Sequence, residues 1–313
     1  MRAWLCLGLT VPLTACSAEG LGDATGSAEF ALDDADPISA FYRSRAALYR
    51  ANDSECTATR IASRYFITAA HCWPKTVGSA IVTVPGFVPY DPNNDDYSFS
   101  IDAVGMRAGV DPATEDWWDD ANEWFADIAI LRTSTAPYLG ADATLAWVYP
   151  GAHAPGVKIG AGLHDGVSAF GTLKQKNDET FSDVDSEARF RTVECASNPG
   201  DSGGAFYHQH RLLGVTSGCT LIDNQAKYTS VPRHLDWILD VIDYVWPGGT
   251  VKPWRRTGEV IQTFSGSLER CQYACDRTSA CRAFSHRSSP KQCTLLSSIE
   301  SVTELEGYQS ARK

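Results

Sequence analysis

The stretch Gly200-Asp201-Ser202-Gly203-Gly204 decides how this chain is to be read. A serine hydroxyl is a poor nucleophile until a positioned base takes its proton and backbone N–H groups stand ready for the oxyanion it creates. Glycines on either side of Ser202 permit the tight backbone that exposes a hydroxyl and brings amides close to a substrate. Far upstream, Ile67-Thr68-Ala69-Ala70-His71-Cys72 supplies a histidine among small residues, with Cys56 sixteen positions before Cys72. Between the two lies Asp127-Ile128-Ala129-Ile130-Leu131, an acid leading into an apolar run. In that order they offer a base, an acid to fix the imidazole tautomer, and a nucleophile. A lone histidine is far more often structural, and His153, His164, His208, His210, His234 and His286, which lack such a setting, are read that way. Asp116, Asp119 and Asp120, in an acidic Trp-rich loop expected to cover the rim of the site, are the weaker candidates for the acid.

These motifs resemble those of the trypsin/chymotrypsin family of serine proteases, and the resemblance spans residues 38 to 245. It implies an all-β fold, a chymotrypsin-like double β-barrel with a C-terminal helix. It assigns His71, Asp127 and Ser202 as the catalytic triad and the N–H groups of Gly200 and Ser202 as the oxyanion hole. It implies a Cys56–Cys72 disulfide clipping the histidine loop and a Cys195–Cys219 disulfide across the primary specificity pocket. Ser217-Gly218 would form the substrate-binding edge of that pocket, Val193 and Glu194 would lie near its floor, and Ala226 would line it. No preferred substrate residue follows from these positions.

One departure from the family concerns Asp201. In animal members, cleavage frees an Ile-Val-Gly-Gly terminus whose ammonium pairs with the aspartate before the nucleophile. No such motif precedes Cys56, and Ile38-Ser39-Ala40 is a faint echo. Two readings stay open: an internal cation satisfies Asp201, or cutting near Ile38 activates and releases the domain.

The rest of the chain sets the context. Its 313 residues exceed what one core usually supports, so more than one domain is expected. The net charge of −11 argues against a nucleic-acid partner. Arg2 and the apolar run Trp4–Leu13 read as a secretion signal, too short to span a membrane. The run ends in Leu13-Thr14-Ala15-Cys16, which resembles a bacterial lipobox, so residues 1–15 are expected to be removed and Cys16 to carry lipid. A membrane is expected to be engaged only through that anchor. Ser17 favours the outer membrane by analogy with enteric bacteria, and release from the cell is the other outcome. Residues 16–37 read as a flexible acidic tether.

Within residues 38–247, short apolar runs such as Ile81–Val84, Ile128–Leu131 and Leu212–Thr216 predict strands. His234–Val245 has apolar residues at helical spacing and predicts a helix. Trp246-Pro247-Gly248-Gly249 should break it, with a linker over 248–257. Setting aside Cys6 and Cys16, eight of the ten cysteines remain, an even number that implies disulfides in an exported chain; neither a metal nor another cofactor is expected. Residues 258–313 form a cysteine-dense unit in which Cys271, Cys275, Cys281 and Cys293, with Ala283-Phe284-Ser285, resemble the PAN/apple family. That resemblance implies a small disulfide-rich α+β domain, paired Cys271–Cys293 and Cys275–Cys281, that binds proteins or carbohydrates. The functional expectation is a secreted serine endopeptidase acting on protein or peptide substrates. A catalytically silent surface adhesin is the alternative; such proteins usually lose a triad member, and this chain keeps all three.

Overall fold

Short apolar runs, several of them buried over most of their length, build two barrels. The computed structural model describes residues 36–51, 54–72, 80–84, 98–106, 127–137, 140–150, 153–162, 173–184, 189–192, 197–220 and 225–313. The expected signal peptide, Cys16, the acidic Trp-rich loop, Val193, Glu194 and Cys195 lie outside them.

The chain enters through β1 (Asp36–Pro37) and the short helix α1 (Ala40–Arg43). The first barrel then follows as β2 (Ala46–Ala51), β3 (Ser54–Ala62), β4 (Tyr65–Thr68), β5 (Ile81–Thr83), β6 (Ser98–Met106) and β7 (Ala129–Thr133). Antiparallel pairing closes them in the order β2-β3-β4-β7-β6-β5. Leu48, Phe66, Ile67, Val82, Ile101, Ile130 and Leu131 are each almost completely buried, and because neighbours such as Phe66 and Ile67 point to opposite faces of a strand, the barrel is covered outside as well as filled inside.

The second half runs through β8 (Thr144–Leu145), β9 (Pro155–Gly160), β10 (Lys174–Val184), β11 (Arg189–Thr192), β12 (Ala205–His208), β13 (Arg211–Thr220) and β14 (Gln225–Ser230). The sheet order β10-β11-β14-β13-β12-β9, with β9 pairing back onto β10, makes a second closed ring. β1 adds to β10, and β8 runs parallel beside β13. The expected double barrel is therefore present.

The helix α2 (Val231–Val241) begins three residues before the expected His234, because Ser230 caps it: its side chain accepts a hydrogen bond from Arg233 N, and Pro232 sits in the first turn. It also ends short of the expected Val245. Asp243 takes a left-handed φ of 50°, and Tyr244 N reaches back to Leu239 O at 2.9 Å, a Schellman-type stop without glycine.

The C-terminal module comprises β15 (Trp254–Thr257), β16 (Val260–Phe264), α3 (Leu268–Arg277), β17 (Ala283–Ser288), β18 (Lys291–Leu296), β19 (Ser301–Glu304) and β20 (Tyr308–Arg312). A four-stranded sheet, β16-β18-β17-β20, carries α3 on one face, tied to it by Cys271–Cys293; Cys275–Cys281 staples the end of the helix. β15 pairs with β19 alone. The expected linker over 248–257 is thus corrected. Its Pro and Gly residues end one domain, but Trp254–Thr257 has a strand partner nearly fifty positions later, and Gly249 N and Lys252 N bond to Arg312 O and Ser310 O at 2.8 Å. Likewise the last two residues assigned to the tether, Asp36 and Pro37, pair with Gln175 and Lys174.

The module packs directly on the second barrel. Tyr273 Oη accepts a hydrogen bond from Leu145 N at 2.8 Å in a buried setting, and Trp147 Nε1 donates to Gln262 Oε1 at 3.1 Å. Burial pushes the Tyr273 phenol up to about 12, keeping it a neutral hydrogen-bonding group. Trp147 and Tyr244 pack edge-on to Tyr273, and Asp236 of α2 pairs with Arg270 of α3 at 3.1 Å.

Candidate active site

Strand register brings the acid to the base. β4 and β7 pair antiparallel with Thr68 opposite Ala129. Extending that register two residues places Asp127 opposite Ala70, beside His71 in the 3-10 turn Ala70–Cys72. The Cys56–Cys72 disulfide ties this turn to β3. Asp127 Oδ2 bonds His71 Nδ1 at 2.9 Å, and Oδ1 accepts from the His71 backbone N–H at 3.0 Å. The acid therefore fixes both the ring and the backbone of the histidine, leaving Nε2 for proton transfer.

Electrostatics follow from that contact. Burial works against the His71 imidazolium, but the Asp127 charge and the hydrogen bond from Nδ1 outweigh it, raising the imidazole above its ordinary 6.5. Burial likewise opposes the Asp127 carboxylate, and the His71 charge, with hydrogen bonds from His71 and Ser217, holds its pKa below the usual 3.8. Ser217 Oγ donates a short hydrogen bond to Asp127 Oδ2, and Thr229 Oγ1 donates to the Asp127 carbonyl at 3.0 Å.

The nucleophile sits in a turn held by both barrels. Ser202 is partly exposed between β12 and the first barrel, and its carbonyl accepts from Thr57 N at 2.8 Å. Thr57 is a hub: Oγ1 donates to Gly200 O at 2.8 Å and accepts from Ala161 N at 3.0 Å, while its carbonyl accepts from Thr68 Oγ1 at 2.8 Å. Gly200 and Gly203 adopt φ of 98° and 80°, which a side chain would resist. A Cβ on Gly203 would also lie 2.0 Å from Thr68 Oγ1, so this glycine lets the serine turn close on the histidine turn. Neither Gly200 N nor Ser202 N donates to any protein acceptor among the described residues, whereas Asp201, Gly203 and Gly204 all do. Those two amides are the ones expected to cradle an oxyanion. Ser202 Oγ and His71 Nε2 make no hydrogen bond to each other here; such contacts commonly tighten only when substrate binds.

Asp201 is completely buried, and so is its partner Lys158 on β9, with Nζ 3.5 Å from Oδ2. Backbone N–H groups complete the shell: Gly162 N to Oδ1 at 2.8 Å and Asn198 N to Oδ2 at 2.9 Å. Lys158 also donates to Ser197 Oγ at 2.5 Å. Gly160 and Gly162 have no room for a side chain, because a Cβ would stand 2.0 and 2.9 Å from Asp201 Oδ1. Of the two readings left open for Asp201, the structure contains the internal cation. Ile38, by contrast, is 5% exposed within a continuous chain whose Ser39 N–H is bound by Gln175 Oε1 at 2.8 Å.

The remaining pocket residues are placed unevenly. Cys219 is disulfide-bonded and lies opposite Ala226 in the β13–β14 pair. Ala226 is fully buried against Phe190, Phe206, Leu213 and Tyr228. A Cβ on Gly218 would meet nothing within 4 Å, as an open edge requires. The Ser217 hydroxyl is committed to Asp127 and is not free for substrate. Sequence reasoning missed Lys158, Thr57 and this use of Ser217. The one available signal was a lysine inside Gly156-Val157-Lys158-Ile159-Gly160, where the flanking pattern is apolar. Cys56, His71 and Cys72 place ligand-type atoms within 4.8 Å of one another, but both sulfurs are spent on the disulfide and do not suit a metal.

Residues 34–238 match the family model described as Trypsin, and residues 255–296 match that of the PAN domain. Among solved structures, the human heparin binding protein aligns with a TM-score of 0.55 at 19% identity, covering 69% of this chain and 99% of that one. Mouse neuropsin, a serine protease, aligns with a TM-score of 0.54 at 16% identity, covering 67% and 99%. The scabies mite inactivated protease paralogue S-I1 aligns with a TM-score of 0.54 at 19% identity, covering 67% and 98%. These likenesses bear on the fold alone. No curated protein matches the chain.

Proposed function

The chain belongs to the trypsin family and carries a C-terminal PAN domain, and on that premise we propose that it is a catalytically competent serine endopeptidase. The observation that carries the reading is the nucleophile turn, where Gly200 N–H and Ser202 N–H are left without acceptors beside an Asp127-bound His71. In the proposed reaction His71 Nε2 takes the Ser202 proton as Oγ attacks a peptide carbonyl. The oxyanion is received by the two amides, each worth about 3–4 kcal/mol of barrier. His71 then returns the proton to the leaving amine. Water, activated by the same imidazole, hydrolyses the acyl-enzyme and regenerates Ser202.

Lys158 gives Asp201 the positive charge that animal relatives draw from a new N-terminus, so competence is proposed without cleavage near Ile38. An uncut enzyme is compatible with export as a lipoprotein through Cys16, which is proposed as its anchor to the cell envelope, with the outer membrane favoured. The PAN domain is proposed to hold a protein or carbohydrate ligand near the protease. Digestion of casein by the purified protein, compared with Ser202→Ala, tests the enzyme reading, and sequencing the cut sites reads out its specificity. Equal digestion by both proteins, or none by a folded wild type, refutes it. Mass spectrometry of the membrane-extracted chain tests the anchor: a diacylglyceryl-Cys16 terminus is expected, and an unmodified Ser17 or later terminus contradicts it.

A further inference from the structure

The C-terminal module has two unlike faces. One packs α3 against Phe284, Cys293 and Leu295. The other carries two rows set by the strand register. Thr263, Thr294, Ser285 and Ser310 align across the sheet in the first row, and Gln292, Arg287 and Tyr308 align in the second. β15, which stands over this face, adds Arg255 and Arg256, and together they enclose a cavity of about 340 Å³.

The chemistry of this cavity is unbalanced. No carboxylate lines it, and among the described residues none of Arg255, Arg256 and Arg287 has an ion-pair partner. Arg256 Nε is buried without a hydrogen-bond acceptor, and Ser285 Oγ, on a residue 5% exposed, is buried without any partner. Burial and the neighbouring charge of Arg312 both lower the Arg256 pKa, as expected of cations gathered without a counter-ion. Buried polar atoms are normally satisfied, so these point to a ligand that supplies acceptors. Guanidinium forks suit planar carboxylates, hydroxyl rows suit sugar hydroxyls, and the Tyr308 ring offers an apolar face for a pyranose. The volume falls at the small end of ordinary ligand pockets, about 300–1,000 Å³, and fits one or two sugar rings. A chain of net charge −11 gains little from long-range attraction to a polyanion, so recognition must be local.

We infer that this cavity binds an acidic oligosaccharide, with Arg255, Arg256 and Arg287 taking uronate carboxylates and the Thr263–Thr294–Ser285 row taking sugar hydroxyls. The inference rests on the reading of the PAN domain as a binding module and names the ligand class of that module.

Calorimetric titration of the full chain carrying Ser202→Ala tests it, with oligogalacturonate, a neutral galactose oligomer of equal length and inorganic tripolyphosphate as probes. Oligogalacturonate alone should bind, and Arg287→Ala and Arg255→Ala, both at exposed positions, should each weaken it about 10–100-fold. Thermal melts of both variants confirm that they fold, and casein digestion by the same substitutions in an otherwise wild-type chain should be unchanged. Binding of the neutral oligomer unaffected by either substitution would leave a carbohydrate module but overturn this cavity as an acidic-sugar site. Equal binding of tripolyphosphate would reduce it to a simple anion site and overturn the saccharide assignment. No binding of either oligosaccharide by the folded chain overturns the inference and the carbohydrate reading of the module together.

Discussion

Replacing Lys158 with methionine keeps the length and apolar stem of the side chain but removes its ammonium from beside Asp201. Both groups are 0% exposed, and the carboxylate would keep only the N–H groups of Gly162 and Asn198 as partners. Stranding one charge of a buried pair costs about 3–5 kcal/mol. Part of that should appear as lost stability and part as movement of the 198–202 turn, since Asp201 lies between the two oxyanion amides. Loss of one oxyanion donor lowers kcat about 10²–10³-fold. The assay pairs kcat/KM on a peptide ester with urea unfolding in a Ser202→Ala background. Lys158→Met should lower both, with kcat falling more than KM rises, because the contact acts through the transition-state cradle. The double variant Lys158→Met/Asp201→Asn should recover stability relative to Lys158→Met, because the uncompensated charge is gone. If Lys158→Met keeps full stability and full kcat, the pair does not hold the nucleophile turn.

Other consequences follow from the same geometry. The His71 pKa is raised, and the reaction needs the neutral imidazole, so kcat/KM should climb with pH through a midpoint above 6.5; a midpoint at or below 6.5 contradicts the Asp127 effect. The protonated His71–Asp127 pair adds stability that is fully present below the unfolded imidazole pKa and fades as pH rises through the folded one. The depressed Asp127 pKa adds stability present above 3.8 and lost as pH falls through its folded value. Gly160→Ala should destabilise by about 1–3 kcal/mol, because its Cβ would stand 2.0 Å from Asp201 Oδ1, and differential scanning calorimetry reads the shift. Gly218→Ala, with nothing within 4 Å, should melt like wild type. Tyr273→Phe strands the buried Leu145 N–H and should cost about 1–3 kcal/mol, seen as a lower melting temperature with casein digestion retained at 25 °C.

The candidate triad could be named from sequence because its signals are local. His71, Asp127 and Ser202 each sit in a short run whose neighbours carry meaning, and the fold followed from their order. Lys158 was not legible in this way. Its role depends on β9 lying beside the 197–201 turn, a tertiary fact that no window around residue 158 contains. The same holds for Ser217, whose hydroxyl is claimed by an acid ninety positions away. The expected linker gives way to a strand because Pro247, Gly248 and Gly249 mark the end of the protease domain, while the strand after them is defined only by β19. The helix end was misplaced because apolar spacing continues to Val245 after the backbone has already turned at Asp243.

Ser202 is proposed to be an activated nucleophile in the uncleaved chain. Labelling with a fluorophosphonate probe tests it most directly, using protein whose intact N-terminal side upstream of Asp36 is verified by mass spectrometry and Ser202→Ala as control. Stoichiometric labelling of the intact chain at Ser202 is expected, with none in the control. A folded, intact chain that stays unlabelled until it is cut near Ile38 would contradict it.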